Sequence, residues 1–536
     1  MPTDLETDVI IIGAGHNGLT CAAYLAAAGK SVRVLEARDI VGGAAVTEEF
    51  HPGFRNSTAS YTVSLLNAKV IADLDLYRHG LTFVRREISN FWPLGNKPGE
   101  YLKLTFDSAR NKEEFARLSE NDAEAYERYT TDIETAADLL RDIILETPPN
   151  LGGGISDMWA SIKLGNKFRK LNNTAQALVF DLFTVSAEDF LRRYFEHPAI
   201  IGAFAFDGIV GNYAAPSTPG TAYVLLHHAF GELNGVKGEW GHAIGGMGAI
   251  TSAMAAVGRA SGVDIVLNAR VASLETQDGT VRGVHLEDGR VFRAKTIVSN
   301  ANPVHLTRDL LSDADLPPEG EIFRQKMTHY QCGSASFRMN LALSGLPDFL
   351  CQPGTAPEEH HKSGIIIGPS VGYLEQAFLD ARQFGWSKKP VIEMLIPSTI
   401  DGTLAPAGSH VMSLFCQHFA PELANGKSWD DQRDDAVETI ISTIETYAPN
   451  IRELIVGQQV HSPLDLERKF GLERGDIFHG KLSLNQMFSA RPQLGAANYR
   501  LPIKGLYLCG SGAHPGGGVT GVPGHNCARE ILKDLR

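Results

Sequence analysis

The 536-residue sequence predicts an α/β fold: a parallel-sheet domain built from three separated stretches of chain, interleaved with an α+β domain that carries a helical cap. Three observations predict it. A strand–glycine turn–helix–strand unit occupies residues 8–36, a run of hairpin signals follows a helix between 247 and 299, and a glycine-dense loop joins a strand to a helix between 504 and 535. Each is a sheet-domain signal, and long stretches of different character separate them.

The first unit starts with the β-branched run Val9–Ile12, which reads as a buried strand. Gly13, Gly15 and Gly18 follow at GxGxxG spacing, then an alanine-rich helix to Ala28, a stop at Gly29 and a second strand, Val32 to Leu35, before Glu36. Gly13 permits the tight turn, Gly15 lets the backbone approach a pyrophosphate, and Gly18 lets helix and strand pack closely. The helix N-terminus favours negative charge, and an acid after the second strand suits ribose hydroxyls. These parts together predict a dinucleotide site. Arg38 and the Gly42-Gly43 pair extend the pattern to that of two-dinucleotide-binding flavoproteins, which favours FAD over NAD.

The chain then leaves the first domain. Residues 47–61 read as an irregular crossing segment, and 70–106 as short strands of another sheet. Glu113 to Leu145 reads as one charged helix with Leu118, Tyr126, Ile133, Leu139 and Ile143 facing inward. Leu151 to Gly154 reads as a linker and Met158 to Glu196 as helical. Within it, four basic residues lie near Trp159, Ile162 and Phe168, consistent with contact to an anionic membrane surface; a solvated helix face is the other reading. Ala199 to Phe230 is strongly apolar, so Phe204, Phe206, Tyr213 and Tyr223 read as core or as the wall of a hydrophobic tunnel.

Gly245-Gly246-Met247-Gly248 opens a helix to about Ala260. A strand at 264–267, turns at Asp278-Gly279 and Asp288-Gly289, and the strand Thr296 to Ser299 describe a β meander laid across the parallel sheet. Residues 303–490 return to the second domain, with strands at 332–343 and 390–396 and an amphipathic helix at 430–447. Eight glycines fall between Gly505 and Gly524, in a loop whose N–H groups suit a phosphate or a flavin carbonyl edge. The predicted divisions are 1–71, 234–302 and 491–536 for the cofactor domain, and 72–233 and 303–490 for the substrate domain with its cap at about 110–230.

Composition narrows the classes. A net charge of −13 argues against nucleic acid as a partner. The six cysteines form no CxxC pair, which argues against a redox dithiol or a zinc ribbon; Cys21 and Cys509 read as packing residues. The first eight residues are acidic and lead straight into a strand, leaving no targeting peptide, and no apolar run reaches a membrane span. The expected location is cytoplasmic, with peripheral membrane contact and a homo-oligomer both open.

The motifs Gly13-Ala14-Gly15-His16-Asn17-Gly18, Gly245-Gly246-Met247-Gly248, Leu267-Asn-Ala-Arg270-Val271, Leu286-Glu-Asp-Gly-Arg290 and Gly510-Ser511-Gly-Ala-His514-Pro515-Gly516 resemble the phytoene desaturase, carotenoid isomerase and retinol saturase group. Residues 219–228, 404–415 and Phe478-His479-Gly480 resemble the branch containing pyridine nucleotide-disulfide oxidoreductase domain-containing protein 2. The resemblance spans nearly the whole chain. It implies a glutathione-reductase-like Rossmann domain holding FAD through Gly13, Ala14, Gly15, His16, Asn17, Gly18, Glu36, Ala37, Arg38, Gly42, Gly43, Ala44, Val271, Gly510, Ser511, Val519 and Thr520. It further implies an oxidoreductase that dehydrogenates, saturates or isomerises a hydrophobic, unsaturated substrate. A second complete GxGxxG for a separate nicotinamide domain is missing, since Ile365 to Gly372 has the strand but not the glycine spacing; oxygen, a quinone and NAD(P) all stay open as electron acceptor.

Flavin amine oxidases share the N-terminal half of the pattern, so amine or alcohol oxidation by oxygen is one rival reading. A flavin-binding regulatory protein with little turnover is another. The acid–base candidates are His514, in the terminal loop, and Arg338, on a strand where related oxidases keep a cation near the flavin. Their structural alternatives are a loop-bracing histidine and an outward-facing arginine. His227-His228 and His242 are pocket candidates without a carboxylate at metal spacing, so no metal is expected.

Overall fold

In the computed structural model, which describes residues 7–150, 153–233, 235–311 and 316–536, two large sheets dominate the fold. The first is five-stranded and wholly parallel, in the order Asp264–Val266, Val32–Leu35, Val9–Ile12, Thr296–Ser299, Leu506–Leu508. Its central strand is fully buried, as a continuous β-branched run requires in a sheet covered on both faces. The helices His16–Ala27, Met247–Ala260 and Val522–Asp534 pack on it and on one another, all within one apolar core. The three-stranded meander Val271–Gln277, Thr280–Leu286, Val291–Arg293 turns where the Asp-Gly pairs fall.

The second sheet has seven strands, in the order Ile455–His461, Ser336–Leu343, His410–Phe419, Trp386–Leu395, Gly364–Ile367, Asn90–Pro93, Tyr101–Leu104. It is antiparallel except where Gly364–Ile367 runs parallel to Asn90–Pro93. Every residue of Ser336–Leu343 is buried, because both faces of this sheet are covered. Phe337, Met339 and Leu341 pack on one side in a core with the helix Trp429–Glu445, while Arg338 and Asn340 point to the other.

Helices from Ser108–Ala116 to Thr221–Ala229 form the cap. Its long helix starts later than the pattern implied, at Glu120, because the Ser119 hydroxyl accepts from the Asp122 N–H and caps a fresh start. The buried stripe therefore runs through Tyr126, Tyr129, Ile133, Leu140 and Ile144, leaving Leu139 and Ile143 half-buried. The crossing segment is more ordered than expected: Pro52-Gly53 closes a hairpin between Thr47–His51 and Phe54–Ser57. Of the predicted linker, Leu151 and Gly152 lie outside the described residues, as do residues 1–6 at the acidic N-terminus.

Candidate active site

The first strand ends at Gly13, whose φ of +95° makes the turn into the helix. A Cβ on Gly18 would lie 2.2 Å from the Gly13 carbonyl oxygen, so helix and turn pack at a distance that only glycine allows. Glu36 sits at the end of the second strand, accepting from the Ala14 N–H at 2.7 Å and the Arg38 N–H at 3.0 Å. It braces the glycine turn while lining the groove.

That groove encloses about 420 Å³. Gly13, Gly15, His16, Asn17, Glu36, Ala37, Arg38, Gly43, Ala44, Val271 and Ser511 line it, as expected from the motifs. So do Asn300, Arg308 and residues 467–473, which the motifs did not reveal; the last segment belongs to the second domain and covers the groove from outside. Four buried polar atoms on this lining lack a partner among the described residues: His16 Nε2, Asn17 Oδ1, Arg38 Nη1 and His479 Nδ1. Orphaned donors and acceptors beside a glycine turn are the lining a dinucleotide needs.

Five more of the expected residues lie beside the groove without lining either cavity. The Ala14 N–H donates to Glu36, and Gly18 packs on Gly13 as the motif requires. The Gly42 N–H donates to the Ala14 carbonyl, and a Cβ on Gly510 would meet the Asn300 carbonyl oxygen at 2.6 Å. The Thr520 hydroxyl accepts from the Val522 N–H at 3.1 Å at the start of the last helix. Val519 lines the cavity on the substrate side.

A second cavity of about 490 Å³ adjoins the groove, and His16, Ala44, Leu472, His479 and Ser511 line both. Burial lowers the pKa of His16 to about 3 and of His479 to about 4, so neutral imidazoles stand at the junction. The remaining wall mixes polar residues with a set of aromatic side chains that includes Tyr61, Trp92, Tyr126, Tyr129, Phe204, Phe206, Trp240, Phe415 and Phe478. Of the tunnel candidates, Tyr213 and Tyr223 are absent from it.

Four carboxyls interrupt this wall: Glu134 and Glu239 pair with Arg141 and Arg85, which leaves Glu393 and Asp207. Strand register aligns His461, Arg338, Phe415 and Glu393 in one row across four strands. Tyr61 lies over that row, stacked on Phe415, with the Arg338 guanidinium 4.3 Å from its ring centre and its hydroxyl donating to Glu393. Burial raises the pKa of Glu393 despite Arg86 and Arg338 nearby. Arg338 is thus buried, donating to the Leu414 carbonyl at 2.5 Å and Ser413 Oγ at 2.7 Å, and reaches the cavity only through Tyr61.

Asp207 is the other carboxyl. It ends the apolar helix Pro198–Ile209, faces the cavity, and finds no hydrogen-bond partner for its carboxyl among the described residues. Burial, and secondarily Glu393, raise its pKa to about 7. The helix C-terminus disfavours a negative charge as well. The sequence carried a signal for it, since Asp207 is the only charged residue between Ala199 and Phe230. His228 lines the cavity beside it, with its pKa lowered to about 4 by burial.

The structure brings His514 to neither cavity. Its backbone carbonyl accepts from the Tyr499 hydroxyl at 3.0 Å, and its buried ring packs against Phe488 and lines a small separate pocket under the cap. Burial lowers its pKa to about 3. His227 packs between Phe230 and Phe478, and His242 pairs with Asp401 at 2.9 Å, so neither faces the cavity.

Residues 18–336 match the family model described as flavin containing amine oxidoreductase. Pyridine nucleotide-disulfide oxidoreductase domain-containing protein 2 of Rattus norvegicus is 37% identical over 557 residues, covering 99% of this chain and 94% of its own. The lycopene-forming phytoene desaturase of Pantoea ananas is 27% identical, covering 98% and 99%. Among solved structures, putrescine oxidase bound to putrescine shares the fold with a TM-score of 0.61 at 18% identity, covering 99% of both chains. The glycine turn, the ribose-side acid and the orphaned polar lining fit the cofactor these matches carry: the chain belongs to the flavin-containing amine oxidoreductase family and is an FAD-dependent oxidoreductase.

Proposed function

We propose that the protein dehydrogenates a hydrophobic, unsaturated substrate held in the aromatic cavity. The observation that carries this reading is the cavity itself: about 490 Å³, with aromatic side chains such as Tyr61, Trp92, Phe204, Phe206 and Phe415 in its wall, opening onto the cofactor groove at His16, Ala44, Leu472, His479 and Ser511. An apolar chain seated there loses water and is directed at the junction. The likeness to a lycopene-forming phytoene desaturase supports the same substrate class.

FAD supplies oxidation of a C–H bond by hydride acceptance. The protein's own tasks are to orient the substrate and to take the second hydrogen, as a proton, from the adjacent carbon. Asp207 is the group for that proton: it faces the cavity, and its carboxyl has no competing partner among the described residues. Its affinity for a proton lies near neutrality, where a general base works best. Tyr61 and Glu393, held by Arg338 and Arg86, form a fixed polar end that positions the substrate.

A second reading, amine oxidation by oxygen, is favoured by the same two carboxyls, because an ammonium group would pair with them among aromatic rings. Anaerobic mixing tests both. A polyene or terpene that bleaches the flavin supports dehydrogenation of an apolar substrate. Bleaching by amines alone, with peroxide released on admitting air, replaces it, and no bleaching by either class removes both.

A further inference from the structure

The cap carries a surface that the cavity and the groove do not use. The helix Ile155–Arg169 has no buried residue. Ile155, Met158, Trp159 and Ile162 fall at positions i, i+3, i+4 and i+7, so they form one stripe along one side. Their exposures are 73%, 52%, 63% and 44%. Phe180, on the following helix Asn173–Thr184, is 65% exposed. Gly165 does not break the helix, so the stripe is a continuous face.

The charge of this segment is opposite to that of the molecule. Residues 155–170 carry Lys163, Lys167, Arg169 and Lys170 against Asp157 alone, on a chain whose net charge is −13. Two of the lysines fasten the helix to the body: Lys163 pairs with Glu146 at 2.8 Å, and Lys167 donates to the Asp142 carbonyl at 2.9 Å. That leaves the apolar stripe outward. Arg169 and Lys170 lie at its C-terminal end, both exposed. A convex helix with Trp and Ile outward and basic residues at its margin meets the physical requirements of a lipid interface: apolar side chains reach the acyl boundary while cations stay among headgroups. Among the described residues no helix is long and apolar enough to cross a membrane, so this contact lies in the plane of the surface.

We infer that the Ile155–Arg169 helix docks the protein on an anionic lipid surface. The inference stands apart from the reaction assigned to the cavity, since none of the stripe residues lines it.

The test is sedimentation of the flavin-loaded protein with vesicles of phosphatidylcholine alone or with about one third phosphatidylserine. The wild type should bind the anionic vesicles, losing about fivefold in partitioning for each of Arg169→Gln and Lys170→Gln. The Ile155→Ser/Trp159→Ser pair should lose roughly tenfold or more. Trp159→Phe should keep binding but lose most of the quenching of tryptophan emission by brominated lipid, because Trp92 and Trp429 are buried, Trp240 lines the cavity and Trp386 packs on Trp429. All these side chains are outside the core, so flavin content serves as the folding control. The inference falls if the wild type ignores anionic vesicles, or if the serine pair binds them as well as the wild type. It also falls if the stripe instead closes a dimer, seen as a mass in solution that halves in the serine pair.

Discussion

The Arg491 guanidinium donates to the Ser511 carbonyl at 2.7 Å, and its other bonds go to the carbonyls of Phe478, Gly480 and Gln486. One fully buried cation thus joins the terminal glycine loop to the segment carrying His479, the two walls that meet where groove and cavity join. Arg491→Met leaves four carbonyls without a donor in a dry site. The expected cost is about 3 kcal/mol or more, read as a lowered thermal midpoint together with reduced flavin per protein by absorbance.

Asp207→Asn keeps size and shape but cannot take a proton. With a bleaching substrate in hand, the anaerobic flavin-reduction rate should fall by about 10²–10⁴-fold. Wild-type rates should rise as pH passes through about 7, where the carboxyl ionises, and then level. The variant should be flat over that range. An unchanged rate and an unchanged pH profile in Asp207→Asn would remove the residue from the reaction.

Gly18→Ala places a methyl group where only 2.2 Å separates it from the Gly13 carbonyl oxygen. The turn must open to admit it, and the N–H groups that face the cofactor move with it. The expected product is a folded protein purified largely without flavin, with its far-ultraviolet circular dichroism preserved. A yellow protein of wild-type stoichiometry would contradict this.

Asp401 accepts from His242 at 2.9 Å, from the Gly245 N–H at 2.7 Å and from Thr403. Burial would raise its pKa, but these hydrogen bonds outweigh it and hold the carboxyl well below the usual range. A depressed folded-state pKa gives stability that is present above the unfolded value of about 4 and is lost as pH falls through the folded value. The difference in thermal midpoint between wild type and Asp401→Asn should therefore be widest near neutrality and shrink on acidification below about pH 4.

The cofactor half was legible because its constraints are local. Gly13, Gly18 and Glu36 lie within one strand–helix–strand unit, and each is required by a distance of a few ångströms inside that unit. The substrate half was not, because its wall is gathered from residues near 61, 92, 126, 204, 240, 415 and 478, most of which read alone as ordinary core, with Phe204 and Phe206 open also to a tunnel wall. His514 illustrates the difference: its place in the loop was legible, but the packing of its ring on Phe488 joins residues whose pairing no spacing announces. Arg338 was placed on the correct strand, yet its burial depends on both faces of that sheet being covered. Asp207 left a readable trace, a single charge in a long apolar run, which gains meaning only beside Glu393 from a distant strand.

The order of the parallel sheet has a consequence for biosynthesis. Leu506–Leu508 pairs with Thr296–Ser299, which in turn flanks Val9–Ile12, and the loop after it supplies Ser511 to both cavities. A nascent chain short of Leu506 already holds the glycine turn and its helix, but lacks one edge of their sheet and one wall of the junction. The glycine turn therefore meets its completed sheet edge and junction wall only once the segment from Leu506 onward has joined the strand Thr296–Ser299.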